Sequence, residues 1–306
     1  MSLPTDKINA PDGHSIPVFE WCPSDAPPTL VIQVLHGLGE HAGRYERFAA
    51  ACNADRIAVI AYNHRGHGRV QGFGHYADHD GWPKVISDVL QVRQHIAELF
   101  PTVPVVLLGH SMGSYIAQSF VMRHGGNNHA LILSASTYAP RGQLRAGHLC
   151  AQLLTALTGG QRVNSFLNHS GLGKFNERFK PARTKFDWLS RDEAEVDRYI
   201  QDPLCGGDFS NKLWADLTGG LLEITSGDAA ATVRQDLPIL ILGGERDPVG
   251  GAIGLTLLAD VYRKTGHDDV TLKIYPEGRH EMLNETNRDE VTRDIIEWIQ
   301  KQLGPE

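Results

Sequence analysis

The sequence has few cysteines, and they lie far apart. Cys22, Cys52, Cys150 and Cys205 are the four cysteines of a 306-residue chain, and no two of them form a Cys-x-x-Cys pair. A disulfide framework or a structural zinc site needs cysteines at closer, regular spacings. The N-terminal stretch also lacks the apolar run of a signal peptide. We therefore predict reduced thiols and a cytoplasmic protein.

Excess positive charge and long apolar runs are also missing. Lysine and arginine number 29 against 36 aspartate and glutamate residues, which gives a formal net charge of −7. Such a chain has no basic surface of the kind that nucleic acid requires. No window approaches the roughly 18 consecutive apolar residues of a transmembrane helix. We expect no nucleic-acid partner and no membrane-spanning segment.

Short aliphatic runs are present instead, and they predict the strands of a sheet. Most of them are nearly continuous rather than alternating, as in parallel strands that are buried on both faces. Segments with helical periodicity, clearest at 85–100 and 288–303, lie between or after them. The runs are 30–35, 57–61, 103–108, 131–133, 239–242 and 270–275. This alternation predicts an α/β fold with a mostly parallel, doubly wound sheet. A more alternating stretch at 12–21 predicts an antiparallel edge strand.

A long insertion interrupts this pattern. Residues 138–236 contain no aliphatic strand. Some of their segments are amphipathic, and others are polar with scattered aromatic residues. They predict a helical cap, or lid, inserted into a discontinuous core of residues 1–137 and 237–306. Within the cap, Leu149, Leu153, Leu154 and Leu157 follow helical spacing. These leucines could line an acyl tunnel, face lipid or pack against the core.

A nucleophilic serine is predicted directly after the strand at 103–108. Gly109-His110-Ser111-Met112-Gly113 is a Gly-x-Ser-x-Gly sequence between this strand and a helix-compatible stretch. In that context the glycines permit a sharp turn that lifts the serine hydroxyl onto a helix N-terminus. The alternative is a plain glycine turn, which the strand-to-helix context disfavours.

An acid and a base are expected to follow the serine in chain order. Asp247 follows the strand at 239–242 and His280 follows the strand at 270–275, so both lie where open parallel sheets place their sites. Glu245 is the alternative acid, whereas Asp236 precedes its strand at the wrong end. His267 lies in a polar stretch that predicts a solvated surface loop.

Two backbone amides are predicted to stabilise a developing oxyanion. Met112 follows the serine, and Leu38 lies in a glycine-flanked turn after the strand at 30–35. The same turn partly matches a dinucleotide fingerprint, Gly-x-Gly-x-x-Ala, but no carboxylate follows the second strand at 57–61. We therefore expect no nucleotide or other cofactor.

Four histidines in one short stretch could suggest a metal site. His64, His67, His75 and His79 lie near Asp78 and Asp80, and such residues can bind zinc or a non-haem metal. Their spacing matches no known metal signature, and glycines between them indicate a tight loop. We interpret these histidines as structural and expect no metal.

Several segments together resemble the monoacylglycerol lipase and lysophospholipase branch of the α/β-hydrolase superfamily, which is also labelled serine aminopeptidase-like. They are HGLGEHAGRYERFA (36–49), NHRGHG (63–68), GHSMG (109–113), DPL (202–204), GGERDPVGG (243–251) and PEGRHEMLNE (276–285). The resemblance implies the α/β-hydrolase fold, a Ser111-Asp247-His280 triad, the Leu38 and Met112 oxyanion amides, and a lid after 131–133. Many relatives carry aspartate where this chain has Asn63, which bears on loop geometry rather than on catalysis.

We therefore expect a serine hydrolase that cleaves carboxylic esters, most simply a lipase or esterase acting on a small ester or lipid-like substrate. An aminopeptidase or thioesterase with the same triad stays open, as does transient membrane contact through the cap. Carboxylates in the cap could capture an amino terminus, although a solvated helix face is the simpler interpretation. They are Asp187, Asp192, Glu193, Glu195 and Asp197. A non-catalytic scaffold is the remaining alternative, and it would be expected to have lost one of the three triad residues.

Overall fold

The computed structural model describes residues 3–68, 73–125 and 128–303. These residues form an eight-stranded sheet in the order β1-β2-β4-β3-β5-β6-β7-β8. The strands are β1 (Asp6–Asn9), β2 (Ser15–Trp21), β3 (Leu30–Leu35), β4 (Ile57–Tyr62), β5 (Val105–His110), β6 (Ala130–Ser134), β7 (Ile239–Gly244) and β8 (Val270–Tyr275). From β4 to β8 every neighbouring pair is parallel. The predicted mostly parallel α/β sheet is confirmed.

Helices cover both faces of this sheet, as expected for a doubly wound fold. The helices are α1 (Glu46–Ala54), α2 (Gly81–Leu99), α3 (Met112–His124), α4 (Arg141–Thr158), α5 (Ser165–Asn168), α6 (Glu193–Gln201), α7 (Asn211–Ile224), α8 (Gly251–Lys264) and α9 (Arg288–Leu303). The apolar side chains of α1 and α9 pack on one face, and those of α2, α3 and α8 pack on the other. Strands that are buried on both faces explain the continuous aliphatic runs in the sequence.

The N-terminal edge of the sheet differs from the expectation. The stretch at 12–21 does form an antiparallel strand, β2, but β2 pairs with both β4 and β1. The edge strand is β1, which the sequence did not predict because three of its four residues are polar and exposed. Main-chain hydrogen bonds to β2 hold β1 in place, and such bonds leave no apolar pattern in a sequence.

The segment between β6 and β7 contains α4 to α7 and, in this fully described stretch, no strand of the sheet. Helix α7 packs on α4, α2 and α3, and Leu213 and Leu217 of α7 join the apolar core. A separate aromatic cluster forms around Trp188, Leu189 and Tyr199. The division into a 1–137/237–306 core and a 138–236 cap stays a prediction, and residues 1–2, 69–72, 126–127 and 304–306 of that core lie outside the described residues.

Candidate active site

Ser111 lies at a strained turn between β5 and α3. Its backbone angles are φ 52° and ψ −119°, a region that side-chain-bearing residues rarely adopt and that is found at functional sites. The turn also needs both of its glycines. A Cβ at Gly109 would collide with the backbone of Gly113, and a Cβ at Gly113 would collide with the carbonyl oxygen of Leu35. The structure thus has the geometry of a nucleophile elbow.

The turn after β3 lies against Ser111. In the sheet register Leu35 pairs with Gly109, so the carboxyl ends of β3 and β5 are adjacent. A Cβ at Gly37 would come within 3.3 Å of the Ser111 Cβ. The amide of Leu38 makes no hydrogen bond to another described residue, and Met112 is the first residue of α3, where an amide has no partner within its own helix. Both amides are free to donate to a bound group.

Asp247 and His280 form a buried hydrogen-bonded pair. The β7–β8 register pairs Gly244 with Tyr275, which brings the loops after these strands together. His280 Nδ1 lies 2.9 and 3.0 Å from the two carboxylate oxygens of Asp247, and a carboxylate can only accept, so Nδ1 carries the proton. Burial opposes a charge on His280, but the neighbouring Asp247 carboxylate outweighs it and raises the pKa of the imidazole above its usual value.

The alternative acids and the alternative base lie elsewhere. Glu245 is exposed, and its carboxylate accepts the amide of Glu277. Asp236 is exposed and pairs with Arg234. The expectation that His267 lies in a solvated surface loop is wrong, because His267 is buried and packs edge-on against the ring of Tyr262. A local polar sequence hid this tertiary contact.

The structure brings the predicted site residues together only in part. Asp247 meets His280, and the 36–39 turn meets Ser111, but the described contacts include no hydrogen bond between the Ser111 hydroxyl and His280. Catalytic hydrogen bonds are often long in unliganded enzymes and tighten when substrate binds. His110, which precedes Ser111, has its ring centroid 4.9 Å from that of His280, so the two loops are in contact.

A buried ion network lies beneath the same turn, and the sequence did not predict it. Glu40 accepts the amide of Gly37 at 2.6 Å and the hydroxyl of Tyr45 at 3.0 Å. Arg44 bridges Glu40 at 2.8 Å and Glu281, which it binds in a bidentate manner at 2.6 and 2.7 Å. The network therefore connects the 36–40 turn to the residue that follows His280. The 36–49 and 276–285 motifs contain these residues, but only the fold pairs them.

The segment between β6 and β7 contacts this turn directly. Tyr199 of α6 donates its hydroxyl to the Gly39 carbonyl at 2.8 Å, and the amide of Gly206 donates to the same carbonyl at 2.7 Å. His41 lies 2.9 Å from Asp202, the aspartate of the DPL motif. The segment around α6 thus holds the outer side of the turn, and this contact gives the DPL motif a structural role.

The four-histidine stretch divides into two parts in the structure. His64 and His67 are buried and pack around the ring of His36, and burial lowers the pKa of His67 to about 4. His75 instead contacts Ser210 and Asp78, and His79 is exposed. Asn63 accepts the amide of Ala42 at 2.9 Å, which confirms that it orders a loop.

The carboxylates of the predicted cap already have partners in the folded protein. Glu195 is buried and accepts from Arg47 and Arg198, so the expected solvated face is wrong for this residue. Asp187 accepts the amides of Arg183 and Thr184. Asp192 caps α6 and pairs with Arg288, while Glu193 and Asp197 face Arg183. None of these described carboxylates is left unpaired to capture an amino terminus.

Comparison with known proteins places this architecture in a family. The family model described as serine aminopeptidase, S33, matches residues 26–287. The chain belongs to this family. A monoacylglycerol lipase of Mycolicibacterium smegmatis is 30% identical over 92% of this chain and 92% of its own length. The human monoglyceride lipase is 30% identical over 95% of this chain and 87% of its own length.

Solved structures agree with this assignment. A thermostable carboxyl esterase from Bacillus coagulans superposes with a TM-score of 0.91 at 27% identity and covers 99% of both chains. A lipase in its open form gives a TM-score of 0.87 at 28% identity over 98% of both chains. The protein is therefore an α/β-hydrolase of the monoacylglycerol lipase branch, and it is a serine ester hydrolase that acts on small ester or lipid-like substrates. This sets aside the non-catalytic scaffold. None of the described helices has the length and hydropathy to cross a bilayer.

Proposed function

We propose that this S33-family hydrolase cleaves monoacylglycerols through a Ser111-Asp247-His280 triad. The buried Asp247–His280 pair carries this proposal, because it lies at the same edge of the sheet as the strained Ser111 turn. In the proposed reaction, Ser111 Oγ attacks the ester carbonyl carbon and its proton passes to Nε2 of His280. The amides of Leu38 and Met112 donate to the resulting oxyanion.

The second half of the reaction uses the same residues. The imidazolium of His280 gives its proton to the leaving glycerol oxygen, and an acyl-serine ester is left on Ser111. His280 then takes a proton from a water molecule, which attacks the acyl carbon. As the bond between this carbon and Ser111 Oγ breaks, His280 returns the proton to Oγ, and the fatty acid and the free serine are released. Asp247 stabilises the imidazolium in both steps. No step needs a metal or an organic cofactor.

The glycerol ester is favoured by the relatives and by the cap. Proteins named monoacylglycerol or monoglyceride lipase match nearly the whole chain, and the esterase from Bacillus coagulans was solved in complex with glycerol. An aminopeptidase is disfavoured because the cap carboxylates already bind arginines and backbone amides. A thioesterase would use the same triad, so only the choice of substrate distinguishes it from an ester hydrolase.

The test is a rate series on the purified protein and its Ser111→Ala variant. The substrates are monoacylglycerols and p-nitrophenyl esters of increasing chain length, aminoacyl anilides, an acyl thioester and a lysophospholipid. We expect turnover of monoacylglycerols to exceed that of the anilide, thioester and lysophospholipid, and Ser111→Ala to be inactive on all of them. Activity of Ser111→Ala equal to that of the wild type would refute the triad, and preferred anilide turnover would refute the substrate class.

We also propose that helix α4 of the cap touches a lipid surface. Leu149, Leu153 and Leu157 lie four residues apart on one face and are 56%, 53% and 80% exposed, whereas Leu154 packs against the core. Residues 99–176 contain no aspartate or glutamate, although the whole chain carries a net negative charge. Exposed leucines in an acid-free region that contains arginines favour an anionic bilayer.

Vesicle flotation tests this contact. Leu153→Glu is expected to reduce binding to vesicles that contain phosphatidylglycerol, and phosphatidylcholine vesicles are expected to bind the wild type less strongly. The matched control is Ile253→Glu, because Ile253 is 76% exposed but lies on α8, outside the cap. Equal binding by both variants would refute the contact. A cytoplasmic location is likewise proposed, and the four free cysteines support it.

A further inference from the structure

Two aromatic rings contact the imidazole of His280. The Trp188 ring centroid lies 4.9 Å away at an interplanar angle of 44°, and the His110 ring centroid lies 4.9 Å away at an angle of 53°. The amide of His280 also donates to the carbonyl of Trp188 at 3.4 Å. Trp188 is 6% exposed and His280 is 3% exposed, so the tryptophan shields this imidazole from solvent.

Trp188 is itself held in place by its neighbours. Its amide donates to the side-chain oxygen of Asn176 at 3.0 Å, and the Asn176 amide group donates to the carbonyl of Thr184 at 2.7 Å. The ring of Phe175 lies 5.0 Å from the indole. These contacts hold Trp188 against its neighbours, and a residue that fixes the orientation of another must itself be held in place.

Further hydrogen bonds tie the segment around Trp188 to the His280 loop on both sides of the histidine. After His280, the amide of Glu281 donates to the carbonyl of Leu189 at 2.8 Å. Before it, the guanidinium of Arg279 donates to the carbonyl of Ser190 at 3.0 Å. The fully buried carboxylate of Glu285 accepts the amides of Arg279 and Arg191, both at 3.0 Å.

We propose that Trp188 is a positioning residue for His280. The indole packs on the imidazole so that Nδ1 stays on Asp247 while Nε2 is directed toward Ser111, and it keeps water away from the Nδ1–H···Asp247 hydrogen bond. This inference rests on the proposed role of His280 as the base. It also means that the segment 187–191, although it lies in the predicted cap, helps to position the loop that carries His280.

The test compares three variants of the full chain. Trp188→Leu removes the aromatic face, Trp188→Phe keeps an aromatic ring, and Trp214→Leu removes another buried tryptophan of the insertion. Trp214 packs on Phe209 and donates to Asn168, so it contacts none of the proposed catalytic residues. The measurements are kcat and KM for a p-nitrophenyl ester and the far-downfield proton resonance of His280 Nδ1–H, which is assigned by its loss in His280→Gln.

We expect Trp188→Leu to lower kcat about 10- to 100-fold with little change in KM, since a misoriented base affects the chemical step. The downfield resonance is expected to disappear, because the proton then exchanges with water. Trp188→Phe is expected to retain the resonance and most of kcat. Trp214→Leu is expected to lose thermal stability and to retain both the kcat and the downfield resonance of the wild type.

The inference is overturned if Trp188→Leu keeps the kcat and the downfield resonance of Trp214→Leu. If Trp188→Leu does not fold, Trp188→Met decides the question, because methionine fills much of the space without an aromatic face; it is expected to show the same losses. Failure of the triad is a different result. It would appear as activity in Ser111→Ala or His280→Gln, whereas failure of this inference leaves those two variants inactive.

Discussion

Both carboxylate oxygens of Asp247 lie within 3.0 Å of His280 Nδ1, and both side chains are buried. The pair joins two loops that follow neighbouring parallel strands, and it leaves Nε2 as the one ring nitrogen that can exchange a proton with substrate. A buried carboxylate in this position fixes the tautomer of the imidazole and stabilises its charged form.

This pair predicts a specific pH dependence. A general base must be neutral to accept a proton, and the pKa of His280 is raised above 6.5 because Asp247 outweighs the effect of burial. Activity is therefore expected to fall as the pH drops through a value above 6.5, measured as the acid limb of kcat/KM. In Asp247→Asn the limb is expected to move to lower pH, and kcat to fall roughly 10⁴-fold.

Glu245→Gln is the control for this prediction. Glu245 was the alternative acid in the sequence, but it is exposed and does not contact His280. Its variant is expected to keep both the acid limb and kcat. A large loss in Glu245→Gln together with an active Asp247→Asn would reverse the assignment of the acid.

The second glycine of the Ser111 turn is expected to tolerate no side chain. A Cβ at Gly113 would overlap the Leu35 carbonyl oxygen and lie 2.7 Å from that of His36, so helix α3 would have to move away from β3. Gly113→Ala is expected to cost about 3 kcal/mol or more of unfolding free energy, measured by urea denaturation.

The matched control is a glycine in the interior of α4. A Cβ at Gly147 would meet nothing within 4 Å, so Gly147→Ala is expected to stabilise the protein by up to about 1 kcal/mol through helix propensity. Equal stabilities of the two variants would mean that α3 does not pack on β3 as closely as described.

Loss of Arg44 is expected to be strongly destabilising. Its guanidinium neutralises Glu40 and Glu281, and the side chains of these two glutamates are 4% and 6% exposed. Arg44→Met leaves two buried carboxylates without their cation, which costs about 3–5 kcal/mol in comparable sites. We also expect kcat to fall, since Glu40 anchors the turn that carries Leu38.

An exposed ion pair provides the comparison for Arg44. Arg123 and Glu223 are 37% and 39% exposed and lie away from the site. Arg123→Met is expected to change the unfolding free energy by less than about 1 kcal/mol and to leave kcat unchanged. The network interpretation fails if the two arginine variants prove equally stable in thermal melts.

Acid is expected to destabilise the fold through its buried histidines. Burial lowers the pKa of His67 and of His110 to about 4, and it lowers the pKa of His36 and His64 as well. These histidines stay neutral in the folded chain, whereas the unfolded chain binds protons below about pH 6.5. Their contribution to stability is therefore complete above pH 6.5 and is lost as the pH falls toward 4.

The measurement is the urea midpoint as a function of pH. His67→Gln is expected to flatten the decline between pH 6.5 and 4, whereas His169→Gln, at an exposed position, is expected to leave it unchanged. His280 acts in the opposite direction, because a raised pKa gives stability that is lost as the pH rises through the folded value. A midpoint that does not change between pH 7 and 4.5 would contradict the buried neutral histidines.

Strand and helix patterns were predictable because they depend on local periodicity. The runs at 30–35 and 270–275 match β3 and β8 residue for residue, and the helix at 288–303 matches α9. β1 was missed because a four-residue edge strand with a single apolar residue has no such pattern. His267 was misplaced because its burial depends on Tyr262 of α8 and not on its polar sequence neighbours.

The sequence by itself determined the chemistry that short stretches can encode. Two glycines around Ser111, and an acid and a histidine after two later strands, predict a serine hydrolase because parallel strands bring their carboxyl ends to one edge. Only the tertiary structure decided what surrounds these groups. Arg44 bridges Glu40 and Glu281, and Trp188 covers His280. Each contact joins side chains that are far apart in the chain, and residue periodicity contains no information about such pairs.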